Sequence, residues 1–149
     1  MNNFLKEDMI ALLSKLQSDD KGKWGKMNAQ QMVEHLSEYV RIASGKVKAQ
    51  IVNTGEIVKK YYDFMMSDKP FRENTPNAIM PDEPTPVKQP DMRSAIDELK
   101  NEVAHFFKTF QENPSLKTPS PFFGELNFEE NLHLLHKHFT HHAKQFGLI

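Results

Sequence analysis

Cysteine is absent from this sequence of 149 residues. Its absence excludes disulfide bonds, thiolate metal sites, iron-sulfur clusters and cysteine nucleophiles. Any metal ion must therefore be bound by nitrogen and oxygen ligands. The chain is long enough to bury one hydrophobic core, and we expect residues 1–149 to form a single domain.

The sequence also lacks an excess of charge of either sign, since 19 Lys and Arg residues are balanced by 20 Asp and Glu residues. The basic residues are scattered among acidic ones, so no basic patch for nucleic acid is visible. No run of about 18 apolar residues occurs, and the apolar run near the N-terminus is too short for a signal peptide. We therefore expect a cytoplasmic protein that binds neither nucleic acid nor a membrane.

Four segments have the apolar periodicity of helices. Their stripes are Leu5, Met9, Leu12, Leu13 and Leu16; Met32, Leu36, Tyr39, Val40 and Ala43; Met92, Ile96, Leu99, Val103, Phe106, Phe107 and Phe110; and Phe128, Leu132, Leu135, Phe139 and Phe146. Capping boxes predict that the second helix runs from about residue 28 to 44 and that the last begins at Asn127. Gly45 and Gly147 are plausible left-handed stops after these two helices.

Proline is concentrated between the second and third predicted helices, where six of the nine prolines lie between residues 46 and 90. Within that stretch only "GEIVKKYYDFMMSD" could form a short helix, and "SLKTPSPFFGEL" before the last helix is predicted to be a loop. Strand-like alternation is not visible. Short connections join antiparallel helices, whereas a long one permits parallel neighbours. The sequence therefore predicts an all-α four-helix bundle, up-down-down-up, with a long crossover between helices two and three.

Five of the seven histidines lie within residues 133–142, on the last predicted helix. At 100° per residue, His142 lies inside the apolar stripe of this helix, about 20° from Leu135, and His138 lies at its edge, at about 60°. The other three are expected to be solvated: His133, His136 and His141. Among the remaining histidines, His35 lies on the flank of the second helix's stripe, and His105 points away from the stripe of the third.

His35, His138 and His142 are therefore the candidate metal ligands. Side chains four residues apart on a helix can converge on one ion, and facing helices of a bundle often assemble metal sites. Three neutral imidazoles leave coordination positions open, as in catalytic zinc sites, although nickel, copper and iron also accept imidazole. A histidine pair with this spacing is a weak signal by itself, and surface or interfacial histidines that bind no metal are the alternative.

Two motifs resemble the DinB/YfiT-like superfamily of metal-binding four-helix bundles. The first is "WGKMNAQQMVEHL", which carries His35, and the second is "HFTHHAKQFG", which carries His138 and His142 at the family's ligand positions. Gln145 matches a glutamine often found three residues after the last ligand. The "PFFGEL" lead-in and the terminal "QFGLI" resemble a subgroup without an assigned function. The chain departs from many relatives at Ala143-Lys144, where they have Arg-Gly, so an arginine that binds an anionic substrate is not expected here.

The resemblance implies a divalent metal ion, zinc or nickel, at a three-histidine site. It also implies a small-molecule substrate and an enzyme that uses a low-molecular-weight thiol or water, as a transferase or a hydrolase. No general base can be named from the sequence. A homodimer is possible, but the sequence does not determine the oligomeric state. The alternative is a non-enzymatic bundle that holds a structural ion or none and acts through metal binding or association.

Overall fold

The computed structural model describes residues 1–73 and 83–149. A π-helical turn at Phe4–Asp8 leads directly into helix α1 (Met9–Leu13). Four longer helices follow: α2 (Ala29–Ser44), α3 (Gly55–Met66), α4 (Met92–Glu112) and α5 (Phe128–Gln145). Between α4 and α5, strand β1 (Thr118–Ser120) pairs antiparallel with β2 (Gly124–Leu126). The described part of the chain is thus mainly helical, and none of its helices has the length and apolar character needed to cross a membrane.

The limits of α2 and α5 agree with those predicted from the capping residues. At the start of α2, the backbone N–H of Gln31 donates to Asn28 Oδ1 at 2.8 Å. In return, the backbone N–H of Asn28 donates to Gln31 Oε1 at 2.9 Å. The same reciprocal pair joins Asn127 and Glu130 at the start of α5. Such caps satisfy amides that have no partner within the helix. The predicted limits of both helices are therefore confirmed to within a residue or two.

The core lies between the N-terminal helical segment, α2, α4 and α5, and most residues of the four predicted apolar stripes belong to it or pack against it. Leu12 and Tyr39 do not, and the core also contains residues that no stripe included: Ala29, Val33, Ala95 and Ala143. Its fully buried members include Leu5, Met9, Leu13, Met32, Leu36, Leu99, Phe106 and Phe139. Phe106 of α4 stacks on Phe128 of α5 at a centroid distance of 5.7 Å. Burial of this apolar surface is the main force that holds the helices together. It also fixes which face of α2 and of α5 points inward.

The region between α2 and α4 contains one helix, α3, in addition to the four helices predicted from the apolar stripes. The segment "GEIVKKYYDFMMSD" forms α3, whose Tyr62 hydroxyl donates to the Glu130 carboxylate on α5. Lys137 of α5 donates to the Ser67 carbonyl, just beyond the end of α3, at 2.9 Å. Positions 74–82, with Pro76 and Pro81 of the predicted crossover, lie outside the described residues. The up-down-down-up order stays a prediction.

The segment "SLKTPSPFFGEL", which was predicted to be a loop, contains the hairpin of β1 and β2. Each strand of the hairpin has three residues, which is too short to show the alternation on which the prediction depended. Contacts from distant parts of the chain support it. The Thr118 hydroxyl donates to the Ala43 carbonyl at the end of α2, and the buried Asn131 side chain donates to Thr118 Oγ1 and to the Leu126 carbonyl.

Candidate metal centre

The three histidines that the sequence analysis selected come together between α2 and α5. His35 extends from α2, and His138 and His142 extend from successive turns of α5. The Nε2 atom of His138 lies 3.0 Å from that of His35 and 3.0 Å from that of His142. One ring nitrogen from each residue lies within 4.8 Å of the other two. The geometry thus places three potential ligand atoms around one point.

The spacing of these nitrogens fits a cation better than it fits hydrogen bonds. In the plane of its ring, an imidazole nitrogen carries either one proton or one lone pair. His138 Nε2 can therefore make a linear hydrogen bond to only one of its two neighbours, and the other contact at 3.0 Å sets two like groups against each other. Three lone pairs directed at one ion remove this conflict. Nitrogens about 2.1 Å from an ion, at bond angles of about 90° to 109°, are about 3.0 to 3.4 Å apart. The two separations at His138 Nε2 lie in this range, and the three nitrogens together lie within 4.8 Å of one another.

A buried amide determines which nitrogen of His142 carries the proton. The Gln145 side chain donates from Nε2 to the Trp24 carbonyl at 2.9 Å, and a carbonyl can only accept. The Gln145 oxygen must then be the atom that lies 2.6 Å from His142 Nδ1. Nδ1 is therefore the donor, and Nε2, which lies 3.0 Å from His138 Nε2, keeps its lone pair. Partners of this kind orient a metal-binding histidine and select its tautomer.

Two glycines beside Trp24 make room for this amide. A Cβ atom at Gly25 would lie 2.8 Å from Gln145 Nε2, and one at Gly22 would lie 2.9 Å from Gln145 Cγ. Gly25 also has a φ of +82°, which favours glycine. The sequence "SDDKGKWGK" around these glycines is typical of a turn, but its contact with Gln145, 120 residues after Gly25, was not predicted.

The site favours neutral imidazoles. Burial, with a smaller contribution from His141, lowers the pKa of His35 to about 4. Burial and then the neighbouring imidazoles hold the pKa values of His138 and His142 well below the usual histidine value. All three rings are therefore uncharged at neutral pH, which is the form that binds metal ions. His35 Nδ1 is buried without a hydrogen-bond partner among the described residues, unlike His142 Nδ1.

Three histidines expected to be solvated are partly buried instead: His133, His136 and His141. The His141 ring lies 5.5 Å from the Trp24 ring and 5.9 Å from the Phe71 ring, and the His136 ring lies 5.1 Å from the Phe4 ring. Their exposure was predicted from the faces of α5 alone, and this pattern contains no information about neighbours from other parts of the chain. His105 of α4 is exposed, as predicted.

Aromatic rings border the histidine cluster. The Tyr39 ring lies 4.8 Å from the rings of both His35 and His138. The Phe71 ring, just after α3, lies 6.2 Å from the His138 ring. Tyr39 follows His35 by one helical turn, so its place beside the site could have been found from the sequence. Phe71 lies in the proline-rich region and carries no such signal.

Comparisons of the chain with protein families, with curated proteins and with solved structures found no match. The resemblance to DinB/YfiT-like bundles therefore depends on the two histidine motifs and on the order of the helices.

The low pKa values predict how the metal-free protein responds to acid. Below pH 6.5 the unfolded chain protonates its histidines, whereas His35 stays neutral in the folded protein down to about pH 4. Below pH 6.5, unfolding therefore takes up protons, which favours the unfolded state. The free energy of unfolding, as far as it depends on these histidines, is highest above pH 6.5 and falls as the pH is lowered. The slope is about 1.4 kcal/mol per pH unit for each such imidazole.

Urea denaturation in the presence of a chelator, between pH 7 and about pH 5, measures this slope. Most carboxylates remain ionised in that range, so histidines dominate the change. We expect the His35→Gln variant to show a shallower dependence than the wild type. Equal slopes for the two proteins would contradict the prediction.

Proposed function

We propose that this protein is a divalent-metal-dependent enzyme whose ion, zinc or nickel, is bound by His35, His138 and His142. The substrate is a small molecule, and the enzyme is a low-molecular-weight-thiol transferase or a hydrolase. The observation that supports this proposal most directly is the 3.0 Å spacing of His138 Nε2 from the Nε2 atoms of the other two histidines. Two linear hydrogen bonds at one ring nitrogen cannot both account for that spacing.

The composition of the cluster supports a catalytic rather than a structural ion. Among residues 1–73 and 83–149, it contains three histidines and no carboxylate. Three protein ligands leave a coordination position for a substrate, whereas structural zinc sites have four. A divalent ion bound here would lower the pKa of a thiol or a water molecule and supply a nucleophile at neutral pH. Because the histidines are neutral, they do not offset the ion's charge, which favours an anionic thiolate or hydroxide.

The neighbouring residues have positioning roles in this proposal. Gln145 holds the His142 ring through Nδ1 and is itself held by the Trp24 carbonyl. Tyr39 and Phe71 pack on the ligand rings and limit the directions from which a substrate can approach. No side chain is assigned as a general acid or base.

One observation favours the alternative, a bundle that binds a structural ion or none and has no catalytic activity. Two surface clefts of about 410 and 630 Å³ are lined by residues other than the three histidines. Enzyme active sites usually lie in a cleft of this size. The experiments below therefore test metal binding and catalysis separately.

Metal analysis of the purified protein tests the ligand set. We expect about one divalent ion per wild-type chain and little or none in His138→Ala, because this substitution removes the ligand between the other two. His105→Ala is the matched control, since His105 is exposed on α4, and it should retain the ion. Wild-type protein that remains metal-free after incubation with zinc and with nickel would exclude the proposal.

The Gln145 amide provides a second test of the metal centre. Gln145→Ala removes the partner that fixes the His142 tautomer, and we expect metal affinity to fall about 10- to 100-fold. Competition with a chromophoric chelator measures the affinity. Gln50→Ala is the control, because Gln50 is exposed and lies outside the site. Unchanged affinity in Gln145→Ala would show that the amide does not support a ligand.

Cobalt-substituted protein distinguishes catalysis from structural binding. If a coordination position is open, the addition of a low-molecular-weight thiol should change the visible spectrum of the bound cobalt. In a separate assay, the zinc or nickel protein should conjugate that thiol to an electrophile or hydrolyse an ester. His138→Ala should lose both properties. Stoichiometric metal combined with an unchanged spectrum and no turnover would favour the structural alternative.

A further inference from the structure

A groove of about 630 Å³ lies between the N-terminal helical segment and α4. The partly buried Ile10 and Phe107 provide apolar surface, and the two small residues Ala11 and Ala104 keep the groove open between them. Val103, also among the lining residues, is buried in the core. Both alanines are exposed to solvent. The groove is therefore a concave apolar surface between two helices, on residues that the proposed metal centre does not use.

Lysines surround this apolar surface. Lys6 lies on the N-terminal segment, and Lys100 and Lys108 lie on α4, whereas Glu7 is the one acidic residue among those that line the groove. Lys108 Nζ also lies 3.9 Å from the exposed Glu112 carboxylate, a long surface ion pair that a bound carboxylate can replace. Lys100 and Lys108 are eight residues apart, with Ala104 midway between them, so their backbones are separated by about 12 Å along the helix. Lys6 Nζ lies 4.3 Å from the centre of the Phe107 ring, which places a cation directly over the apolar surface.

We propose that this groove binds an amphipathic helix of a partner protein that carries carboxylates beside its apolar face. A third helix can pack its side chains between two neighbouring helices, and the alanines permit close approach. Carboxylates about two turns apart on the bound helix would be in register with Lys100 and Lys108. Their pairing with the lysines would orient the helix along α4 and increase the rate of association.

The charge distribution argues against a second copy of this chain as the occupant. A two-fold axis through the groove would bring equivalent surfaces together, so the lysines of one copy would approach those of the other. Like charges placed opposite each other disfavour such a pairing. The concave shape also suits a rod-like helix better than the broad surface of a membrane.

A synthetic helical peptide tests the proposal. It carries leucines at intervals of three and four residues and glutamates eight residues apart, and the matched peptide has lysines in place of the glutamates. Fluorescence anisotropy with the full-length protein should show that the acidic peptide binds and the lysine peptide does not. Binding of the acidic peptide should become weaker at high salt. The double variant Lys100→Glu/Lys108→Glu should weaken binding about tenfold or more. Ala104→Trp should also weaken it, because the indole fills the groove without changing the charge.

Lys59→Glu/Lys60→Glu on the exposed surface of α3 is the control, since it makes the same change in net charge away from the groove. Its peptide affinity should stay close to that of the wild type. Equal losses in this control and in Lys100→Glu/Lys108→Glu, or unchanged binding by Ala104→Trp, would overturn the proposal. Two other results would also overturn it: self-association of the protein, or binding to phosphatidylglycerol vesicles in preference to the peptide. In either case, loss of that binding in Lys100→Glu/Lys108→Glu would show that it uses the groove.

Discussion

The candidate site depends on a single constraint at His138 Nε2. This ring nitrogen has two other imidazole nitrogens 3.0 Å away, in a place where burial keeps all three rings neutral. One proton or one lone pair cannot satisfy two such neighbours. The chain tolerates this conflict at the contact between α2 and α5, and a bound cation is the simplest arrangement that resolves it. The proposals about metal chemistry follow from that geometry.

The fold supports this geometry from several sides. Apolar packing of α2 and α5 in the common core brings His35 towards the two histidines of α5. At the C-terminal end of α5, the Trp24 carbonyl holds Gln145, which in turn holds the His142 ring. On the other side, Lys137 binds the carbonyl that follows α3, and a short distance further along the chain Phe71 packs on His138. Parts of the chain that were predicted to be connections thus contribute to the site.

Local signals predicted the parts of the structure that depend on nearby residues. Asn28 with Gln31, and Asn127 with Glu130, mark helix starts because each capping box is complete within four residues. The inward direction of His138 and His142 follows from helical periodicity. The hairpin, the partial burial of His136 and His141, and the position of Phe71 depend on contacts between segments far apart in sequence, so no local pattern could reveal them.

The sequence by itself determined the limits of α2 and α5, most of the large apolar residues of the core, and the set of histidines able to face inward, because periodicity and capping act over one or two helical turns. Only the tertiary structure decided that His35 comes close to the pair on α5, that the Trp24 carbonyl, through Gln145, sets the tautomer of His142, and that Phe71 borders the site. These features need two segments to meet in space. That meeting results from the way the whole core packs, which no short stretch of sequence encodes.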